Sequence, residues 1–271
     1  MTPNLLTAYQ SAHFARASKT RIWMVSIQLT VTFVGALSIL IAPERLLYYL
    51  AMAGAAMTIL WWLLKRYYDG MRDAAQAARR AGLVANGLGG ISPATLRDLQ
   101  LRFRVSEEEA QAHLNPEYYE TKASTGWNRL GEMLEESAFY TARLQEDSAT
   151  VIRWFIGLSL AICAVAVLFI LGKADDTLEL NVARIALSFV LFILTGDVLG
   201  SLWLHESASR KAQSVCQRLA ASQSSTNDII LCLLDYDAAV ESAPEVLPFI
   251  YNLRRTKLDK LWRSYQDGRG L

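Results

Sequence analysis

The sequence predicts an all-α, polytopic membrane protein, with four transmembrane helices in two hairpins and a helical cytosolic domain continuous with the spans. Three observations predict it. Four apolar stretches, read as 21–42, 46–64, 151–172 and 182–204, each match the roughly 20 residues needed to cross a hydrocarbon core of about 30 Å. Positive charge and tryptophan gather at one end of these stretches. The rest of the chain carries capping motifs and helical spacing, with no strand-like alternation.

Composition agrees. The 271 residues are 52% hydrophobic and 20% charged, which suits a polytopic protein with a sizeable water-facing part. A net charge of +1 excludes a dedicated nucleic-acid binder, which would carry a basic surplus. Cys163 lies within the third span, and Cys216 and Cys232 lie in cytosolic helix. Their separation suggests neither a disulfide framework nor a zinc site. The first apolar run exceeds the roughly 7–15 residues of a signal-peptide core and lacks a small-x-small cleavage site. It is expected to stay attached as an anchor.

The spans are oriented by their flanks. Lys19 and Arg21 stand at the start of span one, Lys65 and Arg66 follow span two, Arg153 opens span three, and Arg210 and Lys211 follow span four. The turns between are poor in positive charge: Pro43-Glu44-Arg45, and 173–181 with Asp175, Asp176 and Glu179. The positive-inside rule then puts both termini and the middle segment in the cytosol. Trp23, Trp61, Trp62, Trp154 and Trp203 mark the same ends, with Tyr48 and Tyr49 opposite, as interfacial aromatic belts do.

This divides the chain into a cytosolic segment 1–20, hairpin 21–64, cytosolic helical region 65–150, hairpin 151–204 and cytosolic helices 205–271, which are expected to pack with 65–150. Tyr67–Ala81 reads as helix, and Asn86-Gly-Leu-Gly-Gly as a break. Ser92-Pro93 reads as an N-cap with Pro at N1, and Ser106-Glu107-Glu108-Glu109 as a capping box. Asn115-Pro116 ends that short helix. From Trp127, Leu130, Met133, Leu134 and Ser137 recur at helical spacing, predicting one helix of more than forty residues that runs into span three. Span four is expected to run on through Ala208–Ala239. Pro244 and Pro248 precede a final helix from Phe249 to about Tyr265.

Tyr118-Tyr119, then Gly126-Trp127-Asn128-Arg129-Leu130, then Glu135-Glu136-Ser137-Ala138-Phe139 lead into the second hairpin. Asp235-Tyr236, Ala243-Pro244, Leu247-Pro248-Phe249-Ile250-Tyr251 and Leu258-Asp259-Lys260-Leu261-Trp262 follow it. In this order, and at this spacing of hairpins, the segments resemble a bacterial family, the SMODS-associated four-transmembrane pore-forming effectors. The resemblance covers nearly the whole chain. It implies an inner-membrane protein that acts in anti-phage defence and abortive infection; four spans are too few and too apolar for a wide pore, so assembly into a homo-oligomer is expected. It also implies control by a cyclic di- or trinucleotide, made by a partner nucleotidyltransferase, that either activates the effector or holds it silent.

Such a ligand needs cations for its phosphates and aromatic faces for its bases. Two clusters supply both: Tyr118, Tyr119, Lys122 and Arg129 before span three, and Tyr251, Arg254, Arg255, Lys257 and Trp262 in the last helix. The competing reading is a solvated charged face, with Tyr118 and Trp262 packed between helices. Within the spans, Asp197 reads as a pore or gating carboxylate, or as an ion-pair partner of Arg153. Gly196 and Gly200, continued by Ser201, form a G-x-x-x-G face for close helix packing or for a flexible gate. Gln28, Thr32 and Gly35 make a weak polar stripe that lines an aqueous path or bonds a neighbouring helix.

Catalysis finds no support. His13, His113 and His205 are scattered, and no H-E-x-x-H, nucleophile elbow or P-loop occurs. Asn86–Gly90 has no strand before it and no Gly-Lys-Ser/Thr after it, so it reads as a linker. No metal or resident cofactor is expected. Beside the effector stand two other functions: an ion channel or transporter, which would show broken, polar spans, and a non-catalytic membrane scaffold.

Overall fold

A computed structural model describes residues 1–39, 43–170, 176–195, 198–221 and 225–268. The elements among them are all helices: α1 (Pro3–Ser38), α2 (Glu44–Leu88), α3 (Pro93–Arg102), α4 (Glu107–Gln111), α5 (Trp127–Ile170), α6 (Asp176–Thr195), α7 (Val198–Ala221), α8 (Thr226–Ser242) and α9 (Pro248–Asp267). The all-α class expected from the sequence is therefore observed.

Three helices, α1, α2 and α5, are long and apolar enough to cross a membrane. At 1.5 Å per residue, the 45 residues of α2 extend about 67 Å, roughly twice a hydrocarbon core. The protein itself covers little of their apolar windows: 17% of that in α1, 0% in α2 and 6% in α5. An apolar surface so extensive and so bare is costly in water and natural in lipid. The region predicted as the fourth span falls on α6 and the start of α7, where the apolar run Leu180–Val190 is shorter. Gly196, Asp197 and residues 173–175 of the predicted turn lie outside the described residues, and the rest of that turn, from Asp176 onward, is already helix in α6.

Local chemistry explains the helix ends. The Ser92 hydroxyl accepts the Thr95 N–H at 3.1 Å, and Pro93 opens α3 with its ring already at helical φ. The Ser106 hydroxyl accepts the Glu109 N–H at 3.2 Å, and three glutamates occupy the first turn of α4, where the helix dipole favours them. Two sequence expectations are corrected. The Asn86–Gly90 break begins later than predicted. Helix α2 runs through Asn86 to Leu88, and the chain turns only at Gly89, whose φ of 90° suits glycine. The predicted continuous helix through Ala208–Ala239 is two helices. Helix α7 ends at Ala221, and the Ser225 hydroxyl caps α8 by accepting the Asp228 N–H at 3.3 Å. A serine that can satisfy a free N–H favours a helix start over a helix interior.

The chain divides into two compact units. One comprises 1–18, 69–148 and 203–271, and the other 19–68 and 149–202. The first has a conventional core in which Leu83, Leu130, Met133, Leu134, Phe139, Val215, Leu219, Ile229 and Tyr236 are buried from α2, α5, α7 and α8. Its amino-terminal segment docks differently. Ala8 and Ala12 of α1 pack with Ala78 of α2, and Leu6 of α1 packs with Ala77, Ala81 and Ala85. Side chains this small let two helix backbones approach closely.

The second unit buries little, chiefly Met24, Ala36, Ile152, Ile156 and Ile193. Phe33, Met52, Ile59, Leu158, Ile162 and Phe169 are exposed. The Arg66 guanidinium lies 5.3 Å from the Trp62 ring at the end of the apolar run of α2. A cation and an amphipathic ring side by side are typical of a membrane–water boundary.

Candidate functional site

Several residues of the two predicted ligand clusters are committed to other partners in the structure. Arg129 is committed to backbone. Its Nε donates to the Asn86 carbonyl at 3.0 Å and its Nη1 to the Ala123 carbonyl at 2.7 Å, which ties the 112–126 loop to α2. Arg254 pairs with Asp147 at 2.9 Å. Trp262 is 3% exposed and belongs to the core, in contact with Phe139 at 5.2 Å between centroids. Its indole does the work of packing, and it presents no face for a base. Tyr119 packs half-buried against the same core. The ring of Tyr118 is partly exposed while its hydroxyl accepts the Gln10 amide N–H at 3.1 Å, and burial pushes that phenol up to about 12. Lys122, Arg255 and Lys257 are exposed, with no hydrogen bond or ion pair among the described residues. Tyr251 is exposed at 46%.

Of the residues assigned to the spans, Thr32 spends its hydroxyl on the Gln28 carbonyl at 2.9 Å, within its own helix. A hydroxyl satisfied in this way needs no aqueous path. Gly200 is half-buried in α7, and Arg153 stands on an exposed side of α5. Its predicted partner, Asp197, and the paired glycine, Gly196, lie outside the described residues.

Two features of the first unit went unread in the sequence. The first is a groove of about 400 Å³ between α5, α7 and α9. Phe139 and Tyr265 line it together with Arg143, Glu146, Gln213 and Gln217. Space exists there because alanines stand at 142, 220 and 221, too small to fill it. The Tyr265 hydroxyl donates to Glu135 at 2.7 Å, and burial, reinforced by that carboxylate, raises the phenol well above its ordinary value. Arg143 faces Glu146 at 3.4 Å and lies 5.9 Å from the Phe139 ring. The volume is within the range of small-molecule sites, and the mixture of aromatic and amide groups suits one.

The second feature is a buried polar cluster. Gln10, Gln76 and Arg79 are 7%, 6% and 5% exposed. Arg79 donates to Asp237 at 2.7 Å, and Gln76 donates to the Val240 carbonyl at 3.4 Å. The pattern was hidden because the partners of Arg79 and Gln76 lie 158 and 164 residues away, and each residue alone reads as a solvated helix face. Among the described residues no group of His, Cys, Asp and Glu could hold a metal ion.

The fold and its sites thus define an all-helical protein with three helices long and apolar enough for a membrane and a packed helical unit that carries a groove. No protein family, curated protein or solved structure matches this chain.

Proposed function

We propose that this chain is a membrane effector of bacterial anti-phage defence. In this reading four spans in two hairpins sit in the inner membrane with both termini cytosolic. Copies assemble to permeabilise the bilayer under control of a cyclic oligonucleotide sensed by the helical unit. The observation that carries the reading is the length of α2 and α5. Each is a single helix, of 45 and 44 residues, whose bare apolar part and packed polar part are covalently one element. A change of packing at one end of such a helix has a direct route to the other, and coupling needs an element of that kind.

The apolar surfaces of α1, α2 and α5 support the membrane half of the proposal. The resemblance of the segments around Trp127 and Leu247 supports the defence half. The polar residues expected of a permanently open pore are few, so assembly or a triggered change is required.

The test is dye release from vesicles containing the purified protein, with cyclic di- and trinucleotides added or withdrawn. Release that switches with one nucleotide supports the effector. Vesicles that stay sealed throughout, with the protein correctly inserted, would leave the scaffold as the function. Selective ion flux without dye release would leave the channel.

A further inference from the structure

The groove between α5, α7 and α9 has a chemistry that narrows its ligand. Gln213 and Gln217 stand one helical turn apart on α7, both exposed at the groove. Each amide offers two donors and an accepting oxygen. Tyr265, half-buried, supplies aromatic surface in the same lining, beside the buried Phe139. Tyr265 in turn stacks on Trp262, with centroids 5.4 Å apart and planes at 24°, so its ring is braced from behind rather than free to collapse into the space. The cation in the lining, Arg143, is offset by Glu146 at 3.4 Å.

This balance disfavours a phosphate, which would meet one guanidinium already partnered and a carboxylate beside it. It favours a flat, uncharged heterocycle, which gains from the Tyr265 ring and has an edge of donors and acceptors for two amides to read. We propose that this groove binds a nucleobase or a similarly planar, uncharged heteroaromatic ring, with Gln213 and Gln217 as its edge-reading residues. The proposal deepens the sensing half of the function given above and rests on it. It puts the base-reading subsite on α7 rather than on either cluster predicted from the sequence.

The full-length protein in lipid nanodiscs is photolabelled with 8-azidoadenosine, and the labelled peptides are mapped by mass spectrometry. Label is expected on peptides containing Phe139–Glu146 or Gln213–Ala221. Adenosine is expected to compete, and inorganic phosphate and ribose 5-phosphate are not. Gln213→Ala with Gln217→Ala should weaken adenosine binding about tenfold, the loss expected of two hydrogen bonds to an accessible edge. Arg255→Ala with Lys257→Ala should leave it unchanged. Gln217→Leu, which keeps the helix and the bulk, guards against a folding artefact, and its melting temperature is compared with that of the native protein. Label elsewhere, competition by phosphate alone, or unchanged affinity in the glutamine variants would overturn the proposal. Failure of the effector reading looks different: adenosine still binds and the glutamine variants still lose it, but no nucleotide changes vesicle leakage.

Discussion

Arg79 of α2 and Asp237 of α8 form a 2.7 Å ion pair with 6% and 16% of their side chains exposed, and the guanidinium also lies 5.0 Å from the Tyr236 ring. Burial raises the Asp237 carboxyl above its ordinary value even though Arg79 pulls the other way. The pair therefore matters most when broken. Asp237→Ala leaves a buried guanidinium without its counter-charge and is expected to cost about 3–5 kcal/mol. Arg79→Met combined with Asp237→Leu should recover most of that loss, because it removes both desolvation costs. Thermal unfolding of the detergent-solubilised protein measures both. A double variant no more stable than Asp237→Ala would refute the argument.

His13 is 0% exposed and accounts for both ring nitrogens. Its Nε2 accepts the Arg104 N–H at 3.0 Å, which leaves Nδ1–H to donate to the Tyr9 carbonyl at 2.7 Å. A second proton would abolish the acceptor, and burial lowers the pKa below its ordinary 6.5. The unfolded chain then takes up a proton that the folded one refuses, so the contribution is complete above 6.5 and is lost as pH falls through the lowered pKa. His13→Gln should flatten the acid limb of a stability-against-pH curve. Protection of the amides of residues 5–17 against hydrogen exchange, taken relative to their intrinsic rates, should fall on acidification in the native protein only.

Glu136 behaves in the opposite sense. Its carboxylate accepts the Glu120 N–H at 3.2 Å, yet burial pushes its pKa up to about 7 from an ordinary 4.5. The folded state holds a proton that the unfolded state releases. Its stabilising contribution is complete below 4.5 and is lost as pH rises through about 7. Glu136→Gln keeps an acceptor for Glu120 without the charge. It should raise stability above pH 7 by on the order of 2 kcal/mol and leave it little changed under acid conditions. A variant that melts no higher than the native protein above neutrality would count against this.

Trp262 and Lys257 separate core from surface on one helix. Trp262→Ala should cost about 3–5 kcal/mol through the cavity left beside Phe139 and Tyr265. Lys257→Ala, at an exposed position, should fall within about 0.5 kcal/mol of the native protein. Equal effects in thermal unfolding would mean that α9 is not packed as described.

Periodicity and capping carried most of what the chain shows locally. Leu130, Met133, Leu134 and Ser137 were read at helical spacing, and all four lie in α5, the first three fully buried. Ser92 and Ser106 were predicted as caps, and both accept the expected N–H. The site was far less legible. Arg129 and Arg254 looked like phosphate ligands because sequence cannot reveal a carbonyl or carboxylate brought in from 43 or 107 residues away. The groove was invisible for a related reason. It is made by alanines, whose lack of bulk has meaning only once three helices surround them. Ser225 could have been found, since a serine followed by Asp228 three residues on is itself a cap signal.

Gly87 shows how a residue read as linker is a packing seat. A Cβ built there would meet Leu130 Cβ at 2.8 Å and Leu130 Cα at 3.0 Å, and the Gly126 N–H donates to the Gly87 carbonyl at 2.8 Å. Two helices touch here with no room for a methyl group. Helix propensity alone predicts that Gly87→Ala stabilises α2 by about 1 kcal/mol. Overpacking against a backbone atom costs about 1–3 kcal/mol, because the Leu130 main chain cannot rotate aside as a side chain would. The steric cost wins, and Gly87→Ala should lower the melting temperature. Gly54→Ala, where an added Cβ meets nothing within 4 Å, should not. The pair of variants isolates the contact from the propensity: if both shift the melting temperature alike, the close approach of α2 to Leu130 is not what glycine serves at position 87.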